Sequence, residues 1–182
     1  TATMDAKDNA GNSATQLTWT FEVDVQAPTI SALTPANDTW VTTATPAISA
    51  KVEDEAGGSG IASSTIVMKV DGATVVHAYD SLSGVVSFTP GVALSEGTHT
   101  VTVDVKDVAG NAATQASWTF KVDTVAPVLN KTSPIGWANV IKPNVVITAV
   151  EATSGIDTTN AASTVFTLSN GGPVAGTGAW DP

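Results

Sequence analysis

Asp5, Asp8, Ala10, Gly11 and Asn12, followed by Trp19, Phe21, Val23, Asp24, Ala27 and Pro28, return later in the chain as Asp104, Asp107, Ala109, Gly110 and Asn111, followed by Trp118, Phe120, Val122, Asp123, Ala126 and Pro127. Every matched pair lies 99 positions apart. A fixed period of this length, with a short Asp…Ala-Pro linker between copies, marks a string of small modules. Such strings act through length, stiffness and surface, so a mechanical or adhesive role is expected and chemistry is not. The register divides the chain into residues 1–26, the last hairpin of one unit; 27–126, a complete unit; and 127–182, the opening of a further one. Neither partial copy contains a counterpart of Val85–Thr89.

Periodicity two runs through the complete copy. Ile48, Ala50 and Val52 alternate with Ser49, Lys51 and Glu53, and Val101, Val103 and Val105 alternate with Thr100, Thr102 and Asp104. Val and Thr suit a pleated surface, and no long stretch carries a helical stripe. Strands are expected at Thr29–Leu33, Ala47–Glu53, Thr65–Val70, Thr74–His77, Val85–Thr89, Thr98–Lys106 and Ser117–Val122, separated by Pro, Gly, Asn and Asp clusters. Seven short strands in about a hundred residues point to an immunoglobulin-like sandwich. The expected architecture is therefore all-β: tandem immunoglobulin-like sandwiches, one complete and two partial. A half sandwich leaves an apolar face uncovered and strand edges unpaired. Two readings of the ends are open: a longer tandem chain, or completion of one copy's C-terminal half by the N-terminal hairpin of a neighbour.

Composition narrows the partners. Seventeen acidic and 7 basic side chains give a net charge of −10, and all the basic residues are Lys. Without Arg and with this charge, nucleic acid and anionic membrane surfaces are excluded as partners. No apolar run is long enough for a membrane span. There is no Cys, so disulfides, thiolate ligands and a Cys nucleophile are all excluded.

Ser59-Gly60-Ile61, Val70-Asp71-Gly72, Phe88-Thr89-Pro90, Leu94, Gly97-Thr98-His99-Thr100-Val101 and Asp107-Val108-Ala109-Gly110-Asn111 before Trp118 and Phe120 resemble the bacterial Ig-like repeats of large surface proteins and adhesins. The third segment, with Ser133-Pro134, Gly136, Phe166, Leu168, Gly171 and Val174-Ala175-Gly176-Thr177, is similar to another bacterial Ig-like type, found in S-layer and other cell-surface proteins. The resemblance implies an extracellular, repetitive, non-catalytic role.

The Asp-x-x-Asp-x-Ala-Gly-Asn segment admits two readings. Asp107 to Asn111 can simply turn the last hairpin, with Gly110 at positive φ and the Asp and Asn side chains bonding nearby amides. Alternatively, its hard oxygen donors can take part in a Ca²⁺ site. In an immunoglobulin-like sandwich this loop and the loop after Ala47–Glu53 share one pole with the incoming linker. Asp24, Glu53, Asp54 and Glu55, with Asp107 and Asn111, would then converge, and unpaired carboxylates repel one another without a cation. The expected ligands are Asp24, Glu53, Asp54, Asp107 and Asn111. Some giant adhesins that this chain resembles are stiffened by Ca²⁺ between domains. The next junction offers Asp123, Glu151 and Asp157, with Ala152 and Thr153 where acids would continue.

Trp19 with Phe21 and Trp118 with Phe120 are expected to face a core. Trp40 and Trp137 read as loop residues, able to cover the end of a sandwich or to stack on a sugar. His77 and His99 lie in strand patterns without a catalytic constellation. The Asn37-Asp38-Thr39 and Asn130-Lys131-Thr132 sequons are possible glycan acceptors. The combined expectation is a stalk, fibre or S-layer-like spacer on the bacterial surface, without enzymatic activity, its partners being neighbouring Ig-like domains of the same or an adjacent chain. Two alternatives are a carbohydrate-binding accessory module, with Trp40 and Trp137 on surface glycans, and a strand-exchanged head-to-tail filament.

Overall fold

The computed structural model describes residues 1–133, 136 and 146–156. Trp137, Asp157 and the motif from Phe166 to Thr177 lie outside the described residues. Thirteen strands are described: β1 (Ala2–Met4), β2 (Leu17–Trp19), β3 (Thr29–Thr34), β4 (Thr39–Val41), β5 (Ile48–Glu53), β6 (Val67–Val70), β7 (Ala73–Thr74), β8 (Ala78–Asp80), β9 (Val85–Phe88), β10 (Gly97–Asp104), β11 (Ala116–Val122), β12 (Val128–Ser133) and β13 (Val146–Val150). One turn of 3₁₀-helix, Ser63–Thr65, precedes β6.

Two sheets make a sandwich from β3 to β11. One has the order β3-β5-β9-β8 and the other β4-β11-β10-β6-β7. The alternation read from the sequence sets the burial: Ile48, Ala50 and Val52 on β5 and Val101 and Val103 on β10 point inward against Met68, Val86, Trp118, Phe120 and Val122. Turns are built from the predicted residues, as at Asp71-Gly72, where both residues take positive φ between β6 and β7.

Two expectations about strands are corrected. Thr74–His77 is not one strand: β7 ends at Thr74, and the chain crosses to the other sheet, where β8 pairs β9 antiparallel. Val75 and Val76 interrupt the alternation there, and the crossing sets Tyr79 against the core while Val76 remains exposed. The segment at Trp40 is not a loop but the edge strand β4, parallel to β11. Its entry is fixed by Asn37, whose Oδ1 accepts a bond from the Thr119 amide at 3.0 Å.

Two two-stranded sheets flank the sandwich in sequence, β1-β2 before it and β12-β13 after it. β1-β2 repeats the register of β10-β11: Ala2 pairs Trp19 and Met4 pairs Leu17, as Val101 pairs Trp118 and Val103 pairs Ala116. The expectation that Trp19 and Phe21 face a core is corrected, because no second sheet covers them among the described residues; they are 46% and 62% exposed. No helix of the described residues is long and apolar enough to cross a membrane.

Candidate metal centre

The linker entering the sandwich meets two loops. The loop after β5, Asp54 to Gly60, folds back on itself because Gly57 and Gly60 take φ of 87° and 84°, a region open to Gly at little steric cost. The reversal aims its amides at carboxylates: the Ser59 N–H donates to Asp24 Oδ2 and the Gly60 N–H to Asp54 Oδ2, each at 2.7 Å. The loop before β11 is stitched to it, with the Ala109 N–H donating to Ser59 Oγ at 3.0 Å and the Val108 N–H to the Gly60 carbonyl at 2.8 Å. Linker and both loops thus form one hydrogen-bonded knot.

At its centre Asp24, Asp54 and Glu55 each present a carboxylate oxygen, all within 4.8 Å of one another. That spacing lets three oxygens lie around one ion at the 2.3–2.6 Å typical of Ca²⁺. Asp54 Oδ1 and Glu55 Oε2 are buried without a hydrogen-bond partner. A buried anionic oxygen without a donor is unfavourable, so these two atoms fit a cation. Gly58 keeps the space open: a Cβ there would stand 2.7 Å from Asp54 Oδ2 and 2.9 Å from Glu55 Oε1.

The protonation behaviour of the acids reflects this crowding. Bonds from Ser59, outweighing the effect of burial, hold Asp24 below the usual carboxylate range. For Glu55 the bond from its own backbone amide favours the charged form. Burial, the hydrogen bond with Asp54 and the charges of Asp24 and Asp54 together prevail and push Glu55 upward. Two acids in contact are thereby driven apart, as expected when like charges share a site.

The other expected ligands sit elsewhere. Glu53, exposed at the end of β5, pairs with Lys51 at 2.6 Å, and the third place beside Asp24 and Asp54 belongs to Glu55. Glu53 is the last residue of β5 and keeps the outward position that follows inward Val52, whereas Asp54 and Glu55 lie beyond the strand and turn with the loop. Asp107, only 2% exposed, spends both oxygens on Asn111: Oδ1 accepts its backbone amide and Oδ2 its side-chain amide, both at 2.7 Å. Asn111 Nδ2 also reaches the Asp24 carbonyl at 3.2 Å. Asp107 and Asn111 therefore shape and anchor the turn. The same turn stands at Asp8 and Asn12, where the corresponding bonds are 2.8 and 2.7 Å and the residues are exposed.

The second junction repeats half of the knot. Bonds from Ser154 and Val125 lower Asp123, as those from Ser59 lower Asp24. Glu151 accepts the Gly155 amide, as Asp54 accepts that of Gly60. Ala152 and Thr153 bring no third carboxylate. Trp40 lies beside this junction, in a shallow recess with Asp123, Val125, Pro127 and Ser154. Lys121 Nζ stands 5.5 Å from the centre of the Trp40 ring while pairing with Asp38 at 2.5 Å.

Of the two histidines, His77 is half-buried and His99 buried. His99 Nδ1 lies 2.7 Å from Asp71 Oδ2 and Nε2 2.8 Å from the Ser95 carbonyl. Both partners are acceptors, so the ring satisfies them by carrying a proton on each nitrogen. Burial opposes that charge, but the Asp71 bond, the Ser95 carbonyl and the Asp71 charge together raise the pKa of His99.

A family model described as bacterial Ig-like domain matches residues 26–124, more than half of the chain. No curated protein sequence matches it. Solved structures resemble it at low identity. CopC from Methylosinus trichosporium OB3b is 15% identical, with a TM-score of 0.42 over 53% of this chain and 93% of its own. The endo-β-1,4-mannanase from Thermotoga petrophila is 17% identical, with a TM-score of 0.42 over 56% of this chain and 21% of the mannanase. The fibronectin(III)-like modules of Clostridium thermocellum CbhA are 21% identical, with a TM-score of 0.37 over 66% of this chain and 60% of theirs.

Proposed function

Because the chain belongs to the bacterial Ig-like domain family, whose members are generally non-catalytic, we propose that it is a structural segment of an extracellular bacterial surface protein, a stalk or spacer whose first junction is stiffened by Ca²⁺. The observation that carries this reading is the knot that ties the linker to the sandwich through Asp24 and Ser59. A linker bonded into the following module transmits orientation, whereas a free one transmits only length. Asp24, Asp54 and Glu55 would hold the ion, with water or carbonyl oxygens completing its shell. Bound Ca²⁺ would neutralise the crowded carboxylates and fix the angle between successive modules. The net charge of −10 keeps such segments soluble and apart.

Thermal unfolding in millimolar Ca²⁺ and in chelator tests the reading. A ligand bound only by the native state must stabilise it, and saturation well above Kd is expected to raise Tm by roughly 5–10 °C. Asp54→Ala and Gly58→Ala are expected to lose the rise, the first by removing a ligand and the second by filling the space between two. Asp107→Ala is expected to melt earlier yet keep it. Indistinguishable curves for the unmodified chain would leave a metal-free spacer.

A further inference from the structure

Tension on a strung module enters through one linker and leaves through the other, and here the two lie at opposite ends of β11. The incoming linker is held at the loop before β11, where Asn111 Nδ2 donates to the Asp24 carbonyl at 3.2 Å. The outgoing linker begins at Asp123, directly after Val122 closes the strand. The seven residues of β11 set these points about 20 Å apart. β4 follows the incoming linker with only β3 between them, and β11 is the last strand before the outgoing one. These two strands are neighbours and run parallel: Thr39 pairs Phe120, Trp40 pairs Lys121 and Val41 pairs Val122.

Parallel pairing fixes how the two strands meet a pull. The incoming side draws β4 back along its axis and the outgoing side draws β11 forward along the same axis, so the strands are sheared and their bonds share the load. A pair pulled apart sideways instead opens one bond at a time. β3 offers no equivalent route, because its sheet does not contain β11 and its register on β5 breaks between Ser31 and Thr34. Further bonds lengthen the short β4 ladder at both ends. Before it, the Asp38 N–H donates to the Thr119 carbonyl at 2.7 Å and the Thr119 N–H to Asn37 Oδ1 at 3.0 Å, so the Asn37 side chain stands where a strand would offer its backbone. After it, the Asp123 N–H donates to the Val41 carbonyl at 3.0 Å. Lys121 reaches across between the strands, its Nζ 2.5 Å from Asp38 Oδ1 and 5.5 Å from the centre of the Trp40 ring.

We propose that the β4-β11 pairing is the load-bearing element of the module, locked by the side chains of Asn37, Asp38 and Lys121, so that tension passes from one linker to the other across these two strands. Resistance to forced unfolding is set by the rate at which the barrier is crossed, and a sheared ladder crosses it only when several bonds give way together. The role rests on the spacer reading proposed above, since only a strung module is pulled by its linkers, but it does not depend on Ca²⁺.

Single-molecule pulling of the full chain at constant force, in chelator, tests it separately from the metal. The chain has no Cys, so paired cysteines fix the points of attachment. Handles at Val25→Cys and Val125→Cys, in the two linkers, load β4 and β11 in shear. Handles at Ala36→Cys and Ser117→Cys, on the entry side of the two strands, pull them apart sideways. At the same force the sheared chain is expected to outlast the other by about tenfold or more. With the linker handles, Asn37→Ala is expected to shorten the lifetime about fivefold and Lys121→Ala about threefold, through one lost hydrogen bond and one lost ion pair. Ser83→Ala, which removes a 2.6 Å bond to Asp80 in the turn between β8 and β9, away from the load path, is expected to leave the lifetime unchanged. Equal lifetimes in the two directions overturn the proposal, and that comparison needs none of the three alanine variants. A lifetime that Asn37→Ala leaves intact, or that Ser83→Ala shortens as much, also overturns it. The module would then resist through its core and still be a spacer, a reading that stands or falls on the melting curves in Ca²⁺ and chelator.

Discussion

The segments that carry β1-β2 and β10-β11 share the Trp-x-Phe-x-Val sequence, the strand register and the Asp-Asn turn, yet Phe21, two residues past the end of β2, is 62% exposed while Phe120, within β11, is fully buried. Even the Gln–Asp tie across the hairpin recurs, Gln16 to Asp5 at 3.0 Å and Gln115 to Asp104 at 2.9 Å. The hairpin is therefore specified by its own turn and alternation, whereas burial of its apolar face depends on a second sheet. In one copy these residues are core; in the other the same residues are a surface.

The sharpest way to break this contrast is to remove the aromatic at both positions. Phe120→Ala is expected to destabilise the sandwich by about 3–5 kcal/mol, through lost burial and the cavity left behind. Phe21→Ala is expected to shift the same transition by less than about 0.5 kcal/mol, as exposed substitutions do. Urea unfolding of dilute protein measures both, and equal losses would mean that Phe21 is buried.

The turns give a smaller contrast. Asp107→Ala strands the Asn111 amides in a buried site and is expected to lose about 1–3 kcal/mol in urea unfolding. Asp8→Ala leaves the equivalent amides to water and is expected to lose well under 1 kcal/mol of the same transition. If both are silent, the turn is held by Gly110 and the backbone alone.

The smallest effect is electrostatic and lies in the covered copy, where His99 holds Asp71 and Ser95 together beside Phe120. A folded pKa above the ordinary value of about 6.5 contributes stability that is fully present below pH 6.5 and is lost as pH rises through the folded pKa. Tm is therefore expected to fall between pH 6 and pH 9, and the slope to flatten in His99→Gln. A Tm that rises over that range would contradict the charged state.

Most of the fold was legible because Ile48, Ala50, Val52, Val101 and Val103 alternate cleanly and Gly, Pro, Asn and Asp punctuate the turns. β4 was not legible, because Thr39-Trp40-Val41 is short and owes its pairing to β11, more than 70 residues away. The switch of sheets between Thr74 and Ala78 was missed for a similar reason: two adjacent valines leave the direction of the next strand to tertiary packing. At the site, the shared pole of the two loops was readable from topology, and Asp24 and Asp54 do meet there. Choosing Glu55 over Glu53 required the reversal at Gly57 and Gly60, which the loop's composition permits but does not dictate. Asp107 and Asn111 have identical twins at Asp8 and Asn12, far from any cluster, and that comparison separates turn from ligand.

The knot between linker and sandwich is the central claim, and hydrogen exchange at the Ser59 amide tests it most directly. In the structure this N–H is held by Asp24 alone, a residue outside the sandwich strands. It is expected to be protected in the unmodified chain, more strongly with Ca²⁺, and to exchange freely in Asp24→Ala while the Val101 and Val103 amides stay protected. Fast exchange at Ser59 in the unmodified chain, with and without Ca²⁺, would contradict the account and make the linker a free hinge.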